Sequence, residues 1–248
     1  MRIILMLAGL LVAACAGPQA AVAPVAPLGY AAAPAEPAVF PPEPESFQAA
    51  LDRHGVPLRV PQVGKAIVVN IPSFEAVLLE DGAEVMRSRV IVGAPARRTP
   101  TMETTTTVVR FRPHWRPTPS MIAAGTYEDR LVPPGPRNPL GAAAIRLADG
   151  DLIYLHGTNR PELFARDKRA LSWGCVRVER LNEVLAWLLD ASPEQVAEWT
   201  KGRRTFDQPT DGAAVIITYQ TAFPDETGAL ARHADVYRRG ETRLLAAR

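Results

Sequence analysis

The apolar positions of this chain fall into short β-branched runs rather than long helical stripes. Residues 66–71 (Ala-Ile-Val-Val-Asn-Ile) form one such run, stopped by Pro72. Residues 75–80 and 84–92 flank Asp81-Gly82, and an Asp-Gly between two strand-like runs predicts a tight hairpin. In the second of these runs Val85, Arg87 and Arg89 alternate with Met86, Ser88 and Val90. Neither set is cleanly apolar, which predicts an edge strand. Residues 104–112, rich in Thr and Val, predict another strand. So do residues 143–147 and 152–155, on either side of Asp149-Gly150, and residues 213–219. Helical periodicity is confined to three places. Residues 47–54 predict a short helix ending at Gly55. Leu181, Val184, Leu185 and Leu188 repeat at the spacing of one helix face. Ser192-Pro193-Glu194-Gln195 has the cap, proline and third-position Gln of a helix start, with Gly202 as its end. Strands outnumber helices, so the expected fold class is mainly β with flanking helices.

The start of the chain has a different character. Arg2 precedes a short apolar run over residues 3–14, which is brief for a membrane span and ends at Val12-Ala13-Ala14-Cys15. Small residues before a cysteine are similar to a bacterial lipobox, so residues 1–15 are expected to be a lipoprotein signal with Cys15 lipidated. The alternative is an ordinary signal peptide cleaved nearby. Ala16 rather than Asp follows, which by resemblance to Gram-negative lipoproteins points to the outer membrane rather than the inner. The expected location is the periplasm, on a lipid anchor. Residues 16–46 are dominated by Ala and Pro and predict a semi-rigid tether. The folded domain is then expected over residues 47–240. Inside it, the proline-dense stretch 113–139 is too long for a simple turn. It reads either as a loop covering one side of a cleft or as a peripheral insertion.

A formal net charge of +2, with no basic stripe interleaved with aromatics, gives no case for a nucleic-acid partner. The chain has two cysteines, and with Cys15 accounted for, Cys175 has no disulfide partner. It lies in Ser172-Trp173-Gly174-Cys175-Val176-Arg177, downstream of His156-Gly157-Thr158. A thiol attacks carbonyls as thiolate, and a free cysteine has a pKa of about 8.5. A neighbouring imidazole can take the proton and return it to a leaving amine. His156 ends the apolar segment 152–155, a strand tip where a site can form. Gly174 permits a sharp turn, and the amides of Gly174 and Cys175 are candidate oxyanion donors. The guanidinium of Arg177 suits a carboxylate. Against this stands a plainer reading, in which Cys175 is a small buried residue and His156 a satisfied polar one. His54, His114 and His233 have no metal-ligand spacing, so a zinc site is the weaker option.

His156-Gly157-Thr158, thirteen intervening residues, then Ser172-x-Gly174-Cys175-Val176-Arg177 resembles the catalytic motif of the bacterial L,D-transpeptidases. Val69-Asn70-Ile71-Pro72, residues 89–93, Arg98-Thr99-Pro100, residues 135–141 and residues 169–172 resemble further family segments in family order, over roughly residues 55–237. The resemblance implies a β-sandwich-like catalytic fold acting on the stem peptides of peptidoglycan without a cofactor. Cys175 would be the nucleophile, attacking the carbonyl of diaminopimelate and expelling D-Ala, and His156 the base. Gly174 would be a motif glycine, Arg177 a substrate-side cation, and Ser172 a residue orienting the loop. The acyl group would pass to an amine, giving a 3–3 cross-link or protein attachment. Two departures stand out. Trp173 occupies a position where many members have His, and Gly157 one where Asp is common in some branches and Gly in others. Trp173 offers an apolar platform and one N–H but takes no proton. The alternatives are a carboxypeptidase or wall-protein amidase using the same acyl-enzyme, and a catalytically silent peptidoglycan-binding lipoprotein.

Overall fold

The computed structural model describes residues 45–149 and 153–240. The expected signal, Cys15 and nearly all of the tether lie outside the described residues, as does most of the 149–152 turn. The strands, in chain order, are β1 (Lys65–Asn70), β2 (Glu75–Glu80), β3 (Ala83–Gly93), β4 (Met102–Phe111), β5 (Ala143–Leu147) and β6 (Tyr154–His156). They continue with β7 (Ala170–Ser172), β8 (Val176–Val178), β9 (Phe206–Pro209), β10 (Ala214–Thr218), β11 (Ala222–Pro224) and β12 (Leu230–Arg232). Helices are few: α1 (Phe47–Arg53), α2 (Pro119–Ala123), α3 (Leu181–Leu188), α4 (Pro193–Thr200) and a 3-10 turn at Pro161–Ala165.

The main sheet runs β10-β1-β2-β3-β8-β6-β5-β4, and β10 pairs back onto β4, so the order closes on itself. Long β4 makes this possible. Its first half pairs with β10, while its second half lies between β5 and β9. The β2–β3 hairpin turns at Asp81 and Gly82, both at positive φ (50° and 78°), as a two-residue turn between twisted strands requires.

The continuous apolar runs of β1 and β2 reflect burial on both faces. Ile67, Val69, Ala76 and Leu78 enter the larger core, which α3 and α4 also cover. Ala66, Val68, Val77 and Leu79 enter a smaller core on the other side, capped by Phe47 and Leu51 of α1 and by Phe223. The buried side chains of α3 are Leu181, Val184, Leu185 and Leu188, the four the helical spacing singled out. At the start of α4 the Ser192 hydroxyl accepts from the Gln195 N–H at 3.1 Å. Removing it by Ser192→Ala is expected to cost about 1 kcal/mol in chemical denaturation, with no effect on the site.

One expectation is corrected. β3 is not an edge strand, since it lies between β2 and β8. Its second half, Val90-Ile91-Val92, is fully buried. The polar character of its first half comes from ion pairs: Arg87 with Glu84 and Glu75, and Arg89 with Glu179.

Candidate active site

β6 and β8 run parallel and in register, Leu155 beside Val176 and His156 beside Arg177. Leu155, Val176 and Val178 point into the larger core. By the two-residue period of a strand, Tyr154 and His156 share the opposite face with Cys175 and Arg177. The fold thus brings the predicted base, thiol and cation onto one face of two adjacent strands. β3 and β7 hold the loop from the other side, with Ala94 N–H donating to the Ser172 carbonyl at 2.9 Å.

Between β7 and β8 the chain makes a tight reversal. Gly174 sits at φ +119°, a conformation L side chains rarely adopt. The buried Ser172 hydroxyl closes the turn, donating to the Cys175 carbonyl (2.5 Å) and accepting from the Gly174 N–H (3.1 Å). The Gly174 amide, one of the two considered as an oxyanion donor, is therefore committed to Ser172.

A second clamp acts from behind. Thr99 Oγ1 accepts from the Gly93 N–H (2.8 Å) and donates to the Gly174 carbonyl (2.7 Å). The Tyr237 hydroxyl accepts from the Thr99 N–H (3.1 Å) and donates to the Gly93 carbonyl (2.7 Å). Both residues are buried. They join the end of β3, the nucleophile loop and the C-terminal segment into one hydrogen-bonded unit.

His156 is 5 % exposed, and among the described residues its buried Nδ1 has no hydrogen-bond partner. The backbone groups of Leu140 and Gly157 bond to the ring and favour its charged form, so they act as acceptors. With Nδ1 unpartnered, they are assigned to Nε2–H, which leaves Nδ1 as the basic atom. Burial first, and the neighbouring Arg177 second, push the imidazole pKa down from 6.5 to about 4. Burial pushes the Cys175 thiol up from its ordinary value, opposed by a backbone hydrogen bond at Tyr154 and by Arg177. Thiol and imidazole are both neutral at pH 7, so the pair must exchange its proton during attack rather than before it. Gly157 is constrained by space. A Cβ there would stand 3.2 Å from the Leu140 carbonyl oxygen and 3.2 Å from Leu181, which leaves little room for the Asp of other branches.

The stretch 113–139 forms a folded flap. Trp115 and Val132 exchange backbone hydrogen bonds at 2.9 and 2.7 Å. The Arg116 guanidinium is forked on Asp129, and Trp115 meets Tyr127 edge-on at 5.0 Å. Fully buried Asn138 staples the base, donating to the carbonyls of Pro113 (2.7 Å) and Pro133 (3.2 Å) and accepting from the Leu140 N–H (2.9 Å). Between this flap and the 160–173 segment lies a cavity of about 740 Å³. Trp115 and Tyr127 line one side, Leu163 and Trp173 the other, with Arg177 also in the wall. Of the two readings of the flap, the one that covers a cleft matches this arrangement. Trp173 is half-buried and carries the Arg97 guanidinium over its ring, 3.2 Å from the centroid. Among the described residues no three His, Cys, Asp or Glu are gathered as metal ligands.

Thr99, Tyr237, Asn138 and Arg97 were not singled out by sequence reasoning as site residues. Thr99 and Asn138 left traces there, as parts of the Arg98-Thr99-Pro100 segment and of residues 135–141.

A closed, mostly β sheet, with a buried imidazole ending one strand and a thiol leading into the strand beside it, narrows the class to the family the motif resembles. Residues 64–217 match the YkuD family, the L,D-transpeptidase catalytic domain, and the chain belongs to it. A Haemophilus influenzae protein named as an L,D-transpeptidase is 28% identical over 225 residues, 72% of this chain and 45% of its own length. YcfS of Escherichia coli K12, also named as an L,D-transpeptidase, is 42% identical over 85 residues, 32% of this chain and 26% of YcfS. Among solved structures, L,D-transpeptidase 3 of Mycobacterium tuberculosis aligns over 62% of this chain and 61% of its own, at 15% identity and a TM-score of 0.40. The chain spans less than half the length of the curated relatives it matches.

Proposed function

We propose that this protein is a cysteine-dependent peptidoglycan L,D-transpeptidase. The observation that carries the reading is the unpartnered, buried Nδ1 of His156 on the strand beside the Cys175–Arg177 segment. Cys175 Sγ attacks the diaminopimelate carbonyl of a tetrapeptide stem as His156 Nδ1 takes the thiol proton. The tetrahedral intermediate collapses by breaking the C–N bond to the terminal D-Ala, whose amine receives that proton from His156. The product is a thioester on Cys175. An amine then attacks the thioester, giving its proton to His156, and the thiol is restored as the new amide forms. Arg177 faces the site as a cation for a substrate carboxylate. Ser172 and Gly174 hold the loop, and Gly157 leaves room for the imidazole's carbonyl partners. Trp173 shapes the cleft wall that an acceptor must pass. No cofactor enters this scheme. In the cell, Cys15 would carry the lipid and residues 16–46 would tether the domain at the periplasmic face of the outer membrane.

The test is product identification. Purified protein and tetrapeptide muropeptides are incubated and the products followed by mass spectrometry, with Cys175→Ala as background. Dimers with released D-Ala are expected. Tripeptide without dimers would shift the reading to a carboxypeptidase. Absence of both turnover and a covalent adduct on Cys175 would leave only the silent wall-binding lipoprotein.

A further inference from the structure

We infer that the cavity lined by Trp173 and Arg177, which flank Cys175 in the chain, grips its donor stem through free carboxylates and so discriminates against amidated stems. This rests on the proposed function and names the chemistry of the donor it prefers. Arg130, Arg137, Arg160, Arg166 and Arg177 all line the cavity, against one carboxylate, Glu128. Among the described residues, Arg160 is the only one of the five with an ion pair, to Glu162. Arg177 sits deepest, half-buried, with its Nε buried and unpartnered. Like charges converging on one cavity repel each other, and an anion between them relieves that repulsion. The planar fork of a guanidinium matches a carboxylate in shape and charge.

The donor of the proposed reaction supplies such anions. Diaminopimelate reacts at one carboxyl-derived carbonyl and keeps a second carboxylate at its other end. The terminal D-Ala carries another. Amidation of the diaminopimelate carboxylate preserves its size and its carbonyl acceptor while removing the charge. The arginines then lose their counter-ion while the stem remains able to fit.

The experiment compares two synthetic tetrapeptide stems that differ only in whether the second diaminopimelate carboxyl is free or amidated. Each is incubated with the full-chain protein at equal subsaturating concentration. Thioester formation on Cys175 is followed by intact-protein mass, which isolates the donor step from acceptor choice. The free stem is expected to acylate Cys175 about tenfold or more faster, the loss of one charge-assisted contact. Raising the salt concentration should shrink that ratio, because the outer arginines are exposed. The double variant Arg137→Gln, Arg166→Gln should slow the free stem and bring the ratio toward one, at an unchanged melting temperature. Equal rates for the two stems in the wild-type protein would overturn the inference and leave acyl transfer standing. A ratio indifferent to both salt and the double substitution would do the same. Acylation by neither stem would overturn the inference together with the proposed function.

Discussion

His156→Gln is expected to slow acylation of Cys175 by about 10²–10⁴-fold at neutral pH, the usual worth of a positioned general base. Glutamine can still donate to the carbonyls of Leu140 and Gly157, but it takes no proton. The loss should be large because the thiol does not ionise on its own. Burial raises its pKa, so little thiolate exists at pH 7 for the variant to fall back on. The acid limb of the wild-type rate should lie near pH 4 rather than 6.5, since burial and Arg177 hold the imidazole neutral down to that value. A single-turnover pH profile of acylation checks this, and a limb near 6.5 would mean that the imidazole is solvated. Stability should follow the same group. Between pH 6.5 and about 4 the unfolded chain binds a proton that the folded chain refuses. The His156 contribution is therefore fully present above 6.5 and is lost as pH falls through that window. Denaturation midpoints measured across it should fall less for His156→Gln than for the wild type.

Thr99→Val is expected to be the costliest polar substitution at the site. Valine keeps the shape but leaves the Gly93 N–H and the Gly174 carbonyl unpaired in a buried place. Each orphaned group costs about 1–3 kcal/mol. Because Gly174 precedes the nucleophile, the change should also slow acylation at saturating donor, lowering kcat more than it raises KM. Tyr237→Phe removes the next two bonds of the same unit, to Thr99 and Gly93. The two substitutions share partners, so the double variant should cost less than their sum. Chemical denaturation of all three measures this, and strict additivity would show that the clamp does not act as one unit.

These two sites differ in how far the sequence disclosed them. Cys175 and His156 stand in an ordered motif with Gly174 between Ser172 and the thiol, and the pattern is visible along the chain. The hairpin at Asp81-Gly82 and the cap at Ser192 were legible because turn and cap chemistry is local. The Thr99–Tyr237 bond joins residues 138 positions apart, and neither belongs to a periodic run. Its existence depends on a C-terminal segment folding back over β3, which no local pattern encodes. β3 misled for a related reason. Arg87 and Arg89 look like solvent-facing edge residues until Glu75 and Glu179 arrive from elsewhere in the fold. The Gly174 amide shows the remaining limit. A motif names the residues of a turn, whereas the hydrogen bond from that amide to Ser172 emerges only once the turn is built.

The closure of the sheet bears on how a peptide is held. β6 is paired with both β5 and β8, and β8 with both β6 and β3, so the strands that carry the site offer no open edge. A bound peptide cannot dock there as an additional strand, the mode in which main-chain hydrogen bonds read a uniform run of L residues. It must be held by its substituents and charged ends instead. A site of that kind makes no demand on backbone handedness, which would suit the stem peptide of the proposed reaction, whose residues alternate between mirror-image centres.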